Sequence, residues 1–175
     1  MKKIVRVLLL SIFPFYAFTN YVSVIEWNKG KLTYDDFKAP PKSSKDVVKG
    51  EFVGHIKWSF NMTNDRIPKY KIYNNMSAKD SWLSVKHEGL LKEYQFMWDV
   101  QELYARKMRK ASQKLTQQKE QDIEVYRKNF KKLFHQLQKE RNKYNGVIID
   151  QPDFYEILNK QYQDSLKMYD QYKLK

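Results

Sequence analysis

The sequence predicts an α+β fold in which the strands come first and the helices follow. Up to about Met76, apolar, β-branched and aromatic residues occur in short runs with a spacing of two, separated by turn-forming segments. Beyond Ser77 the apolar residues recur every three or four positions, which is the spacing of amphipathic helices. We therefore expect a small antiparallel sheet from the N-terminal half, packed against a long helix and a C-terminal helical hairpin.

The strands are predicted from three stretches. The run YVSVIEW, at 21–27, is rich in β-branched and aromatic residues, and KLTYDDFKAPPKSSK then marks a loop. The stretch EFVGHIKWSFN alternates, which places Ile56, Trp58 and Phe60 on one face. Gly54 lies on that same face, where a bulge or a close approach of the backbone is expected. A shorter strand is predicted around YKIYNNM.

The second half of the chain predicts three helices. The first runs from Trp82 to Leu115 with a break near Gly89. The second has an apolar stripe made of Ile123, Tyr126, Phe130, Leu133 and Leu137. NKYNGVIIDQ interrupts the pattern, and a third helix is expected to begin near Gln151, with a proline in its first turn. The length suits one domain over 21–175, of which 116–175 form the helical C-terminal part.

Residues 1–20 have the layout of a secretory signal. Three basic residues precede an apolar run, at 7–18, that is too short to cross a bilayer as a stable helix. We expect the protein to be exported to a periplasm or cell envelope, with no membrane span in the mature chain. A buried N-terminal strand and an uncleaved anchor remain alternatives, because the small residues near Ala17 form a weak cleavage site.

The composition limits the possible chemistry and partners. Because there is no cysteine, the chain has no disulfide, cysteine zinc site or thiol nucleophile. The 33 Lys and Arg against 20 Asp and Glu give a formal charge of +13, and only three of the basic residues lie in the signal. Such a surplus favours anionic lipid or glycan. Nucleic acid is not expected, because Tyr126, Tyr162 and Tyr169 follow the apolar helix faces and residues 1–20 predict export.

The stretch LLKEYQFMWDVQELYARKMRKA resembles a bacterial family of predicted secreted zinc peptidases of unknown function, whose members have the pattern L-L-x-H-E-Q-x-H-F-D-I-x-E-L-Y-A-R-K-L-R. The positions that match in register are Gln95, Asp99, Glu102, Leu103, Tyr104, Ala105, Arg106, Lys107 and Arg109. WNKGKLTYDDFKAPP and the Ser81-Trp82 pair resemble two further segments of that family in the same order. The resemblance spans about Ile25 to Ala111 and implies a zincin-like fold.

The metal motif itself is replaced in this chain. In such a site two histidines, spaced by four on one helix face, bind Zn²⁺, and the glutamate after the first acts as general base. The corresponding positions here are Glu93, Tyr94 and Met97. A phenol is a poor base at neutral pH and a thioether is a weak zinc ligand, so we expect neither zinc nor another cofactor. Asn145 stands where the family has an aspartate in its C-terminal half, and no histidine follows.

The other candidate residues leave two interpretations open. Asp99, Glu102, Tyr104 and Arg106 are retained family positions, and the spacing of Glu102 and Arg106 predicts an ordinary ion pair on the helix surface. A structural role for ELYARK is favoured. Alternatively, Glu93, Asp99 and Glu102 form an altered carboxylate site. The histidines at 55, 87 and 135 fall on different predicted elements, so no shared metal site is expected from them.

Three functions follow from these observations. The favoured one is an exported, non-catalytic relative of the zinc peptidases with a binding or structural role, whose partner is an unknown protein or an anionic envelope surface. The second is a metallopeptidase-like hydrolase that uses the altered carboxylate site. The third is a cationic envelope protein that binds anionic lipid or glycan. Phosphate-binding loops and the serine-hydrolase motif are absent from the sequence.

Overall fold

The computed structural model describes residues 24–44 and 47–174. The predicted secretory signal and the first three residues of the predicted strand YVSVIEW therefore lie outside the described residues. Within these ranges the chain forms five strands and four α-helices.

Five strands form two antiparallel sheets. They are β1 (Val24–Glu26), β2 (Gly50–Glu51), β3 (Gly54–Met62), β4 (Pro68–Ser77) and β5 (Trp82–Leu83). The larger sheet has the order β1-β4-β3, and β2 pairs with β5. The central strand β4 is also the most buried, since Ile72 and Met76 lie on it with 1% and 0% of their surface exposed. The β4 strand is thus the layer on which the helices pack.

Four helices follow the strands. They are α1 (Glu88–Gln117), α2 (Ile123–Tyr144), the single turn α3 (Val147–Asp150) and α4 (Pro152–Met168). The side chain of His87 caps α1 by accepting the backbone N–H of Leu90 at 3.4 Å. Between Glu93 and Arg106 every residue of α1 except Gln95 is buried, because β4 covers one side of the helix and α2 and α4 cover others. A helix that is buried all round must place its polar side chains in contacts within the protein.

The predicted α+β class, with small antiparallel sheets and helices after them, is confirmed. The close backbone approach expected at Gly54 is also found, since a Cβ atom there would lie 2.5 Å from the Phe52 ring and 2.6 Å from Oε1 of Gln101. The predicted start of the first helix at Trp82 is wrong. Trp82 pairs with Glu51 in the small sheet, and its indole N–H donates to the Glu51 carboxylate at 3.0 Å.

The two C-terminal helices flank α1 rather than forming a hairpin on each other. Phe96 of α1 packs edge-on against Tyr144 of α2 and Tyr162 of α4, with ring centroids 5.4 Å and 5.0 Å apart. The α2 and α4 helices meet where the Tyr162 hydroxyl donates to Glu140 at 2.6 Å. Across residues 24–44 and 47–174, no helix has both the length and the apolar character needed to span a bilayer.

Candidate functional site

Glu93, at the first histidine position of the resembled motif, is a buried carboxylate with 3% of its surface exposed. Its Oε1 accepts the backbone N–H of Gly146 at 2.9 Å, and its Oε2 accepts that of Ile149 at 3.3 Å. Gly146 has a positive φ of 82°, which glycine adopts without strain, and this turn aims both N–H groups at α1. Both carboxylate oxygens are therefore engaged by the connection between α2 and α4.

Tyr94 and Met97, the other two motif positions, are buried and line one cleft of about 310 Å³. The Tyr94 ring packs against Phe37 and Phe52, with centroids 5.6 Å and 6.1 Å away. Burial is the main cause that raises the pKa of the Tyr94 phenol above its ordinary value, and the nearby Glu93 charge adds to it. The phenol thus stays protonated at neutral pH and cannot act as the general base of the motif.

The cation in this cleft is Arg141 of α2. The amides of Gln138, Asn142 and Asn145 also line the cleft, as does the carboxylate of Glu51, which is paired with Lys42 at 2.8 Å. The Arg141 guanidinium lies 6.0 Å from the centre of the Phe52 ring, and within the described residues it forms no ion pair and no hydrogen bond. Burial lowers the pKa of Arg141, because charge is disfavoured in an environment with little water. The cleft thus has a half-buried guanidinium without an anionic partner.

Arg141 also lines a second cleft, of about 220 Å³. Its walls include Trp58 of β3 and Phe134 of α2, which are 44% and 41% exposed. Gln138 lines both clefts, so the two are neighbours that share an arginine and an amide. A carboxylate held by Arg141 would therefore lie beside exposed aromatic surface.

Asp99 lies in a different cleft, of about 430 Å³, that is also lined by Tyr155 and Asn159. The carboxylate is buried, and it accepts N–H groups from Trp27 at 2.7 Å, Gln95 at 2.9 Å and Gln163 at 2.9 Å. Burial raises the pKa of Asp99, although the three hydrogen bonds oppose the shift. All three donors are uncharged, so they hold the carboxylate in place without neutralising it.

Glu102 and Arg106 form the predicted pair at 3.0 Å, but the prediction that it lies on the helix surface is wrong, since both side chains are 2% exposed. Arg109 donates to the same Glu102 oxygen at 2.9 Å. The two arginines also donate to the backbone carbonyls of Ile72 on β4, Leu166 on α4 and Tyr172 in the C-terminal segment, which comprises residues 169–174 after α4. The ELYARK stretch is hence a buried connection between the helix, the sheet and the C-terminal segment.

Tyr104 belongs to the packing around α1 rather than to a cleft. It is 6% exposed, and burial raises the pKa of its phenol, with a smaller effect of the Glu140 charge. The ammonium of Lys107 lies 4.3 Å from the centre of its ring. Tyr104 is therefore a packing residue whose ring contacts the ammonium of Lys107.

The donors at the motif positions do not fit a zinc ion. Both Glu93 oxygens already accept backbone N–H groups, and the remaining positions offer a protonated phenol and a thioether, whereas zinc sites are built from imidazole, thiolate and free carboxylate. In the part of the chain that the structure describes, no three His, Asp or Glu side chains are grouped so that they could hold a metal ion. The histidines lie apart, on β3, before α1 and on α2.

Sequence reasoning missed the residues that complete these sites. Arg141 lies in a helix with many lysines and arginines, and no local pattern distinguishes it from a solvent-exposed one. Gln163 and Trp27 reach Asp99 from positions 64 and 72 residues away, which no spacing argument could detect. Gln95 could have been found, because it lies one helical turn before Asp99.

No family model matches the chain, and no match was found among curated proteins or among solved structures.

Proposed function

We propose that this chain is an exported, non-catalytic relative of the secreted zinc peptidases and that its cleft over α1 binds a ligand rather than a catalytic metal. One observation carries the proposal. Both oxygens of Glu93, at the first histidine position, are engaged by backbone N–H groups of Gly146 and Ile149. The position that should ligate the metal stabilises the fold instead. The part of the proposal that says the protein is exported rests on the sequence of residues 1–20.

The charge in the cleft also favours binding over metal catalysis. Arg141 lines the cleft together with Tyr94 and Met97, and it has no anionic partner among the described residues. A second cation in this small volume would be repelled by the guanidinium, and the repulsion is strong where water is scarce. An anion would be attracted instead. A carboxylate fits a guanidinium well because it accepts two parallel hydrogen bonds.

The neighbouring cleft narrows the class of ligand. Trp58 and Phe134 expose aromatic surface next to Arg141, and Glu51, a carboxylate that lines the same cleft as Arg141, is already paired with Lys42 at 2.8 Å. We infer a ligand with a carboxylate beside an apolar group, such as the end of a peptide whose last residue is large and hydrophobic. The aromatic walls would then hold the apolar part while Arg141 fixes the orientation.

An altered carboxylate enzyme is supported less well. The three carboxylates of that interpretation have different surroundings, since Glu93 is bound to backbone amides, Glu102 to two arginines and Asp99 to three neutral donors. Asp99 lines a cleft that includes neither of the other two. A general acid and a general base must both reach the same reacting bond. Carboxylates that lie apart from one another cannot do so.

The metal part of the proposal is tested by mass spectrometry of protein purified without chelators or a histidine tag, together with a peptidase assay in added zinc. We expect metal well below one equivalent and no zinc-dependent cleavage. Zinc close to one equivalent with cleavage activity would overturn the proposal.

The ligand part is tested by calorimetric titration with a pool of short peptides that end in Phe, Leu or Trp, compared with the same peptides amidated at the C terminus. We expect binding only with the free carboxylate and its loss in Arg141→Gln. Lys139→Gln, an exposed residue of the same helix, removes the same charge and should bind as the wild type does. Equal binding of the amidated peptides would contradict the role of Arg141.

A further inference from the structure

A further cleft lies elsewhere, between α1, α2 and the C-terminal segment. Its volume is about 800 Å³, which is within the range of about 300 to 1,000 Å³ that is usual for sites of small ligands. Four lysines and no acidic residue line it. They are Lys107, Lys110, Lys114 and Lys132. We call this the lysine groove.

Two of the four ammonium groups of the lysine groove, those of Lys107 and Lys110, lie against aromatic rings rather than carboxylates. Lys110 lies 5.0 Å from the centre of the Tyr169 ring and 6.0 Å from that of Tyr172, and Lys107 lies 4.3 Å from the centre of the Tyr104 ring. Within the described residues none of the four lysines forms an ion pair. A ring holds an ammonium in position without cancelling its charge, so its N–H groups remain available to an anion.

The remaining lining of the lysine groove is rich in amides. Five of them reach it, from Gln113, Gln117, Asn129, Gln136 and Gln171. An amide both donates and accepts hydrogen bonds, which matches the hydroxyl groups of a sugar. Cations that are not neutralised, placed among amides, therefore fit a ligand with several anionic groups on a hydroxylated frame.

We propose that the lysine groove is a binding site for an acidic oligosaccharide, one that has at least two sulfate, phosphate or carboxylate groups within the span of the lysines. Lys107, Lys110 and Lys114 lie at intervals of three and four on α1, so they form one row along the groove. Lys132 of α2 lies on the opposite wall. A row with a facing cation can contact anionic groups on successive sugar rings.

Two other anionic partners fit the groove less well. Single-stranded nucleic acid is held by cations along its backbone together with bases that stack on free aromatic rings, and here Lys110 lies over the rings of Tyr169 and Tyr172. A membrane surface requires apolar side chains that can enter the lipid beside the cations. The apolar residues of the groove are Ala111 and Leu133, and both are half-buried.

The test is a titration of the purified protein with a sulfated hexasaccharide and with the same hexasaccharide after removal of its sulfates. We expect only the sulfated form to bind, with an affinity that falls as salt is raised, because exposed charges are screened. Lys110→Gln/Lys114→Gln should weaken binding by at least about tenfold, since charge-assisted contacts are lost. The matched control, Lys57→Gln/Lys71→Gln, removes the same charge from exposed positions of β3 and β4 and should change binding less than about twofold.

Several results would overturn the proposal. Equal weakening in both double variants would show attraction to net charge rather than a site. Failure of the sulfated hexasaccharide to bind would exclude the ligand class. Tighter binding of phosphatidylglycerol vesicles, or of an oligonucleotide of matched charge, than of the sulfated hexasaccharide would also overturn it. If that binding depended on Lys110 and Lys114 in the same way, the ligand of the groove would be lipid or nucleic acid. Lys110 and Lys114 lie on α1, whereas Lys57 and Lys71 lie on β3 and β4. All four side chains are exposed, so both double variants are expected to fold.

Discussion

The carboxylate of Glu93 accepts the backbone N–H of Gly146 at 2.9 Å, although the two residues are 53 positions apart in the chain. The contact joins the second turn of the long helix α1 to the connection between α2 and α4, and the N–H of Ile149 reinforces it. Glu93 is buried, so these donors replace the water that the carboxylate would otherwise need. Glu93 and the connection between α2 and α4 therefore depend on each other.

Glu93→Gln is expected to destabilise the protein. Its Oε1 can still accept one N–H, but its amide nitrogen would face the other donor, which leaves a buried N–H unsatisfied at a cost of about 1 to 3 kcal/mol. Urea unfolding measures the loss, and hydrogen exchange at Gly146 and Ile149 should be faster than in the wild type. Glu88→Gln, at an exposed position of the same helix, removes an ion pair with Lys92 worth about 0.2 to 0.5 kcal/mol, so the unfolding free energy should change by no more than that and exchange at Gly146 should stay as in the wild type. An unchanged exchange rate at Gly146 in the Glu93 variant would refute the structural role.

Glu102→Gln is expected to cost more, about 3 to 5 kcal/mol of unfolding free energy, because removing one member of a buried charge cluster leaves the others uncompensated. Here Arg106 and Arg109 share one oxygen of Glu102, at 3.0 Å and 2.9 Å. The glutamine would keep an accepting oxygen there but not the negative charge, and the exposed Asp170, at 3.3 Å from Arg106, would be the remaining carboxylate. Chemical denaturation checks the value, with Glu88→Gln again as the exposed control. A loss below about 1 kcal/mol, the usual worth of a surface pair, would show that the arginine contacts to backbone carbonyls hold this region without Glu102.

The sequence was sufficient to predict the α+β class and the order of its elements, because these follow from short-range periodicity. The stripe of the second helix is an example, since Tyr126, Phe130 and Leu137 are all buried. The start of the first helix could not be predicted in this way. Trp82 continues the helical spacing by chance, and only its pairing with Glu51 in a distant strand decides that it is extended.

The sites were predictable only where their partners are local in sequence. The pair of Glu102 and Arg106 was found from its spacing, but its burial depends on α4 and the C-terminal segment, which cover it. For Glu93, the partners Gly146 and Ile149 donate with backbone groups, which have no sequence signature. Burial and backbone donors are properties of the folded chain, so they cannot be predicted from residue types alone.

Asp99 is expected to make the stability depend on pH in the acidic range. Burial raises the pKa of Asp99 in the folded protein above its ordinary value, so the folded state binds the proton more tightly than the unfolded state does. The unfolding free energy should therefore fall as pH rises from about 4, the ordinary value for aspartate, to the folded pKa, and should be independent of Asp99 above it. Urea unfolding across this range measures the slope.

Asp99→Asn should remove that contribution. Its carbonyl oxygen can keep the N–H groups of Trp27 and Gln95, and the Gln163 amide can turn so that its oxygen accepts from the new Asn. At neutral pH the variant should be at least as stable as the wild type, because no charge has to be buried. Asp65→Asn, at an exposed turn, should keep the wild-type slope. An unchanged slope in the Asp99 variant would mean that other carboxylates cause the pH dependence.

Arg141→Met is expected to raise the stability of the protein and to abolish ligand binding. The guanidinium is half-buried without an anionic partner among the described residues, whereas a methionine fills similar space and packs well on the Phe52 ring. We expect the unfolding free energy to rise by about 0.5 to 2 kcal/mol, which is common when a group kept for function is replaced. Binding of peptides with a free carboxylate should be lost in the same variant. Lys139→Met should change neither the unfolding free energy nor the binding. A clear loss of stability in Arg141→Met would instead show that Arg141 is a structural residue, and the support for a ligand at this cleft would be removed.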